Sequence, residues 1–87
     1  MPGPHVQVCN NFHAHKADSF VWQNNLNVTC CISQPPNTTW PFVQASPICI
    51  PANSTANGAI SPNLADGTYS YNVDCCTNLV PKSVTIP

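Results

Sequence analysis

The chain has 87 residues with two lysines, three aspartates and a net charge of −1, so charged residues make up only 6% of it, against about 25% in an average soluble domain. Hydrophobic residues make up 43%, which excludes the highly charged, weakly hydrophobic composition of a disordered chain. Two lysines form no basic patch for nucleic acid, and no apolar run reaches the roughly 18 residues of a membrane span. We therefore expect a single domain over residues 1–87, with neither nucleic acid nor a bilayer as its partner.

Alternating hydrophobic residues predict a fold built from short β-strands. In chain order, the apolar faces are Val6 and Val8; Phe20 and Trp22; Leu26, Val28, Cys30 and Ile32; Tyr69, Tyr71, Val73 and Cys75; and Val84 and Ile86. Ten prolines, with no Glu or Arg, disfavour long helices, and a helix over residues 11–21 is the one alternative. Short strands separated by turn-rich segments predict an all-β antiparallel sandwich or small barrel.

Prolines and turn dipeptides predict where the strands end. Residues 34–47 contain four prolines, which cannot donate in a central ladder, so a long surface loop held by Trp40 and Phe42 is predicted here. Asn57-Gly58 and Asp66-Gly67 are turn dipeptides, and each is predicted to precede a strand. Because exposed aromatic side chains often mark interfaces, Trp40 and Phe42 are also candidate ligand contacts.

Six cysteines in so short a chain predict a disulfide framework. They are Cys9, Cys30, Cys31, Cys49, Cys75 and Cys76. A core of this size is a marginal source of stability, and each bridge contributes roughly 2–4 kcal/mol. Disulfides imply an oxidising compartment, so we expect an extracytoplasmic protein of the periplasm, the cell surface or the medium. Residues 1–4 lead directly into the first predicted strand, and we expect a secretion signal to have been removed.

Four segments match the strand pattern of one known family. They are ADSFVWQNN at 17–25, IPANSTANGAI at 50–60, GTYSYNVDCC at 67–76 and PKSVTIP at 81–87. Through them the chain resembles the cupredoxins, the small Greek-key β-sandwiches of the plastocyanin and azurin kind. The first segment looks like the strand before the first copper-binding histidine, and the third looks like the penultimate strand. The resemblance covers most of the chain and implies a cupredoxin-like fold.

The chain departs from that family where the copper ligands would stand. A blue-copper site needs two imidazoles and one thiolate in a trigonal arrangement. Here Cys30-Cys31 and Cys75-Cys76 stand near the two histidine positions, Val73 stands near the cysteine position, and Met1 is the only methionine. The resemblance therefore implies the fold without the electron-transfer activity, and we expect no cofactor.

The resemblance also implies that the strand ends carrying the two CC pairs lie close together. We therefore expect two disulfides between Cys30-Cys31 and Cys75-Cys76. A directly opposed register pairs Cys30 with Cys76 and Cys31 with Cys75, whereas the alternation places Cys30 and Cys75 on apolar faces, and a bulge would reconcile the two. The choice between these pairings stays open. The third bridge is then left to Cys9 and Cys49.

The remaining polar residues supply few candidates for chemistry. On a strand, His13 and His15 share a face and are candidate ligands for one divalent ion or Cu(I). The thiols of the two CC pairs are the other candidate metal site. The aspartates form no evident acid–base pair, no serine lies in a GxSxG motif, and disulfides leave no thiolate nucleophile. An enzyme is therefore not expected.

These observations predict a non-catalytic structural or interaction module outside the cytoplasm. Five formal charges give little repulsion between copies, so a homo-oligomer or a larger extracellular assembly is expected. The alternative function is metal binding by His13 and His15 or by the thiols of the CC pairs.

Overall fold

A computed structural model describes residues 3–77 and 80–87, and this part of the chain forms strands without a helix. The strands are β1 (His5–Gln7), β2 (Phe12–His13), β3 (Ser19–Asn24), β4 (Cys30–Ser33), β5 (Ile48–Ile50), β6 (Ser54–Ala59), β7 (Gly67–Val73) and β8 (Lys82–Ile86). The all-β prediction is confirmed. No helix forms over 11–21, where Ala17 has a φ of 63° that a right-handed helix does not allow. These residues thus contain no helix able to cross a membrane.

The strands form one sheet with the order β1-β3-β6 and another with the order β2-β8-β7-β4-β5. β1 and β2 come from one N-terminal segment that passes from the first sheet to the second. Each is parallel to its neighbour, β1 to β3 and β2 to β8, whereas the other strand pairs are antiparallel. The prediction of a wholly antiparallel sandwich is wrong for these two pairs, because side-chain alternation carries no information on strand direction.

The inward faces of the two sheets meet in a core rich in aromatic rings. Trp22 of β3 is completely buried, and its ring centroid lies 5.7 Å from that of Tyr71 on β7 and 5.6 Å from that of Phe12 on β2. Both contacts are edge-to-face, an arrangement that aromatic pairs favour. Val84 and Ile86 of β8 are buried against the same core. The inward faces predicted for β3, β7 and β8 are therefore confirmed.

The strand predicted over 26–32 forms only in its second half. β4 begins at Cys30, and Leu26 and Val28 are 39% and 55% exposed. The side chain of Asn24 accepts a hydrogen bond from the Leu26 N–H (2.9 Å) and donates one to the Val28 carbonyl (2.8 Å). These local bonds bend the backbone away from an extended course, so the prediction of an apolar strand face is wrong for Leu26 and Val28.

Two of the predicted turns and loops are confirmed. Residues 34–47 contain no regular strand and join the sheets through Phe42, which forms an isolated bridge with Ile60. Gly67 is the first residue of β7 and has a φ of 151°. This conformation favours glycine. The Asp66-Gly67 dipeptide therefore precedes a strand, as predicted.

Asn57-Gly58, in contrast, lies inside β6, so the turn prediction is wrong there. Gly58 is the cross-strand partner of Phe20. A Cβ atom at this position would lie 2.5 Å from two carbons of the Phe20 ring and 2.9 Å from Nε1 of Trp22. The glycine therefore permits close approach of β6 to the aromatic core, rather than a chain reversal.

We expect Gly58→Ala to lower the free energy of unfolding by about 1–3 kcal/mol, because the added methyl group overpacks the core. Chemical denaturation measures this change. The control is Asn57→Ala, which alters an exposed neighbour and is expected to change stability by less than about 0.5 kcal/mol. Equal stabilities for the two variants would contradict the tight contact at Gly58.

Candidate functional site at the disulfide-linked strand ends

All six cysteines are in disulfides, which confirms the predicted framework. The pairs are Cys9–Cys76, Cys30–Cys75 and Cys31–Cys49. One predicted cross-link between the CC pairs therefore exists. The predicted second cross-link is wrong, and so is the predicted pairing of Cys9 with Cys49.

The register of β4 against β7 explains the cross-link that does form. Extended by two positions, this register sets Cys30 opposite Cys75 and Cys31 opposite Asp74. The Cys31 N–H donates to Oδ1 of Asp74 (2.9 Å), and the Asp74 N–H donates to the Cys31 carbonyl (3.3 Å). The Cys30–Cys75 pair continues the register of Ile32 with Val73 without an extra residue, so no bulge is needed. The directly opposed register considered from the sequence is wrong by one residue.

The other two bridges follow from side-chain direction. Cys30 points into the core and is completely buried. Cys31, the next residue of β4, points to the opposite face, as adjacent strand residues do. There Cys31 lies directly opposite Cys49 of β5, with 4.0 Å between the Cα atoms. Cys76 lies beyond the end of β7 and bonds to Cys9, which follows β1. This bridge ties the N-terminal segment to the end of β7.

Sulfur atoms of two disulfides converge at these strand ends. The Sγ atoms of Cys9, Cys75 and Cys76 all lie within 4.8 Å of one another, and Cys30 is bonded to Cys75. Among residues 3–77 and 80–87, this is the one group of three or more candidate metal ligands. Metals bind the thiolate form of cysteine, and these sulfurs are oxidised. As observed, the cluster is a covalent brace between β1, β4 and β7.

A buried amide fixes the loop that leads from β3 into β4. Asn24 is 1% exposed. Its Nδ2 donates to the carbonyls of Val28 (2.8 Å), Ile50 (3.1 Å) and Pro51 (3.1 Å), and its Oδ1 accepts from the Leu26 N–H. One side chain thereby joins β3, the loop and β5. Sequence reasoning missed this role, although the residue's inward position in the β3 alternation was a usable signal.

The hydroxyl of Tyr71 lies in the core beside Asn10, which lies between β1 and β2 in the N-terminal segment. It donates a hydrogen bond to the Asn10 carbonyl (3.2 Å). Burial raises the pKa of Tyr71 well above its usual value of 10.0, because the phenolate form would lose its hydration. The folded-state pKa exceeds the unfolded-state pKa, so this contribution to stability is complete below pH 10 and is lost as the pH rises above it.

We therefore expect the free energy of unfolding to fall above about pH 10, by up to about 1.4 kcal/mol per pH unit from this single group. Denaturant titrations between neutral pH and pH 11 measure the slope. Tyr71→Phe removes this component. The control is Tyr69→Phe, whose hydroxyl is exposed and bonds to the Ala65 carbonyl, and which is expected to keep the slope. A wild-type slope retained by Tyr71→Phe would contradict the assignment.

The two candidate histidine ligands do not share a strand. His13 ends β2, and His15 lies in the segment that follows; both are exposed. The His15 N–H donates to Oδ2 of Asp18 (2.9 Å), and its Nδ1 lies 3.5 Å from the same oxygen. The premise of a common strand face is wrong. Within the described ranges neither histidine belongs to a group of three candidate ligands, and a two-ligand site stays a prediction.

The two candidate aromatic contacts lie at different depths. Phe42 is 4% exposed, and its ring centroid lies 5.2 Å from Trp22 and 5.4 Å from Tyr71. The premise that it is an exposed ligand contact is therefore wrong. Trp40 is half-buried; its ring packs on Phe42 at 5.1 Å, and its Nε1 donates to the Gln44 carbonyl (2.6 Å). Trp40 alone keeps an accessible face.

A depression of about 440 Å³ lies on the three-stranded sheet. Its lining includes Ser19, Val21, Gln44, Asn57 and Ala59. No titratable side chain lines it, so it offers no side-chain acid or base.

The sequence matches no protein-family model, and no curated protein matches it.

Proposed function

We propose that the protein is a non-catalytic, extracytoplasmic structural or interaction module. Its fold is a cupredoxin-like Greek-key sandwich in which disulfides take the place of the copper site. Two sheets of three and five strands support the fold assignment. So does the position of β7, the penultimate strand, in the middle of the larger sheet beside the final strand.

The Cys30–Cys75 disulfide is the observation that carries the proposal. It joins β4 to the end of β7, the two places where the resemblance puts copper ligands. The sulfurs at these positions are held in covalent bonds, and the histidines stand elsewhere, at positions 5, 13 and 15. A blue-copper site needs two imidazoles and a thiolate together, so this end of the fold is a brace rather than a redox centre.

Charge and redox chemistry support the interaction role and the compartment. Lys16 and Asp66 form a surface ion pair (3.2 Å), so few of the five formal charges act over long range. Such a surface resists association only weakly. Three disulfides in 87 residues are typical of small domains in oxidising compartments.

Alkylation followed by intact-mass measurement separates this proposal from metal binding by thiols. Protein from its native compartment, unfolded without a reductant and treated with iodoacetamide, is expected to gain no label and to weigh about 6 Da less than the reduced chain, since each disulfide lacks two hydrogens. Labelled cysteines, together with a metal that elemental analysis finds in the native protein before unfolding, would favour the metal-binding alternative. A metal that is retained by the wild type and lost in His13→Ala/His15→Ala would assign that alternative to the histidines.

A further inference from the structure

β6 differs from the other edge strands of the two sheets. In the described part of the chain, β1, β2 and β5 have two or three residues each, and β5 is bounded by Pro47 and Pro51. β6 has six residues and contains neither a charge nor a proline. Proteins usually protect a sheet edge by shortness, charge, proline or a bulge. β6 carries none of these protections.

Hydrogen bonds at the end of β6 establish which of its backbone groups face away from β3. The Ile60 N–H donates to the Asp18 carbonyl on the β3 side (2.8 Å). Backbone direction alternates along a strand, so Ala59 faces outward. Its N–H donates to Oε1 of Gln44 (3.1 Å), and its carbonyl accepts from the Val43 N–H (2.9 Å). The 42–44 segment therefore covers the outer edge at Ala59 only.

The same alternation turns the backbones of Thr55 and Asn57 outward. Both residues are exposed, and their outward N–H and C=O groups have no partner among residues 3–77 and 80–87. Two donors and two acceptors thus stand at alternate positions of an extended strand. An added antiparallel strand satisfies this pattern.

We propose that β6 pairs antiparallel with β6 of a second copy, around a two-fold axis that passes beside Ala56. In this register Thr55 of each copy faces Asn57 of the other, and each facing pair exchanges two N–H to C=O hydrogen bonds. The two three-stranded sheets become one continuous sheet of six strands. The inference rests on the proposed function, because it names the surface through which the module self-associates.

The surroundings of the edge favour a second copy over a foreign strand. The pattern at Thr55 and Asn57 is complementary to itself under a two-fold rotation. β6 carries no charge and the chain has only five formal charges, so two copies meet there with little repulsion. Val43, with 59% of its surface exposed, lies beside the end of the edge, where residue 53 of the second copy would approach. The Asn53 N–H donates to the Leu26 carbonyl (3.0 Å), so the chain bends back before it meets Val43 of the other copy.

Sedimentation equilibrium of three proteins tests the pairing. The wild type is expected to approach twice its 9.3 kDa mass at millimolar concentration. Thr55→Lys/Asn57→Lys places like charges across the two-fold axis and is expected to weaken association at least about tenfold. Thr68→Lys/Ser70→Lys adds the same charges at the same spacing on exposed β7 positions and is expected to associate as the wild type does.

Amide hydrogen exchange locates the contact. In the wild type, the Thr55 and Asn57 amides are expected to exchange more slowly as concentration rises, and circular dichroism checks that each lysine variant is folded. A wild type that stays monomeric overturns the pairing and leaves the edge to a strand of a different protein. Equal association of both lysine variants overturns it in favour of another surface. Neither outcome touches the proposed function, which fails only on free thiols or bound metal.

Discussion

Replacing Cys9 and Cys76 together with alanine is expected to lower the free energy of unfolding by about 4 kcal/mol. The two cysteines are 67 residues apart, so their bridge restricts most of the unfolded chain, and long closed loops give the largest entropic effect. This loss is a large share of the roughly 5–15 kcal/mol that stabilises a typical domain. Guanidinium titrations at fixed pH measure it as a shift of the unfolding midpoint.

The Cys31–Cys49 disulfide, the surface bridge, provides the matched control. Cys31 and Cys49 are 18 residues apart, and Cys31→Ala/Cys49→Ala is expected to cost about 3 kcal/mol by the same loop-entropy estimate. Removing this bridge also leaves the core untouched, whereas Cys76 is 7% exposed and packs in the core. A larger loss in the surface variant than in Cys9→Ala/Cys76→Ala would contradict the role of the long-range bridge.

Asn24→Asp is expected to destabilise the fold by about 3–5 kcal/mol at neutral pH. The substitution keeps the shape of the side chain but turns a donor to three carbonyls into a buried acceptor that carries a charge. Burial and facing carbonyl oxygens raise the folded-state pKa of such a carboxyl. The deficit is therefore smallest below the unfolded-state pKa of about 3.9 and grows as the pH rises above it. Chemical denaturation between pH 3 and pH 7 measures both the loss and its direction.

Asn25→Asp is the control for this prediction, because it makes the same chemical change one residue later on an exposed side chain. Its Nδ2 bonds to Oε1 of Gln7 at the surface. We expect a change within about 0.5 kcal/mol with little dependence on pH. Similar losses for both variants would mean that the buried amide of Asn24 does not hold the β3–β4 loop.

Strands with one fully buried face were predictable from the sequence. Alternate residues of β3 and β8 are buried, as predicted: Phe20 and Trp22 on β3, and Val84 and Ile86 on β8. Alternation reports which face of a strand meets the core. It therefore also located β7, whose inward Tyr71 is completely buried.

Side-chain contacts overrode the hydrophobic and turn patterns in three places. The predicted strand at 26–29 gave way to a loop bound by the Asn24 side chain, and Gly58 was taken as a turn residue although a ring packs against it. Phe42 was assigned to an exposed loop surface, but its ring enters the core. The Asn24 bonds are local, but hydrophobic alternation does not report side-chain-to-backbone bonds. The contacts of Gly58 and Phe42 depend on residues distant in sequence, which a local pattern does not contain.

The disulfide pairing could be predicted only in part, because it depends on the register between β4 and β7. The sequence placed the two CC pairs near each other only through a family resemblance, and a shift of one residue between β4 and β7 decides which cysteines face one another. The observed register directs Cys30 to Cys75 and leaves Cys31 facing Asp74. The extra strand pairing with β5 then supplies Cys49, and sequence alternation alone does not reveal that pairing.

Copper binding by the folded, fully oxidised protein tests the central claim most directly. We propose that covalent sulfur bridges hold the strand ends that would otherwise carry a copper site. The protein is dialysed to equilibrium against Cu(II) and, separately, against Cu(I). We expect no stoichiometric copper at these strand ends and no intense blue absorption. One equivalent of copper retained by the oxidised chain with intense blue absorption, and lost in Cys30→Ala/Cys75→Ala, would contradict it.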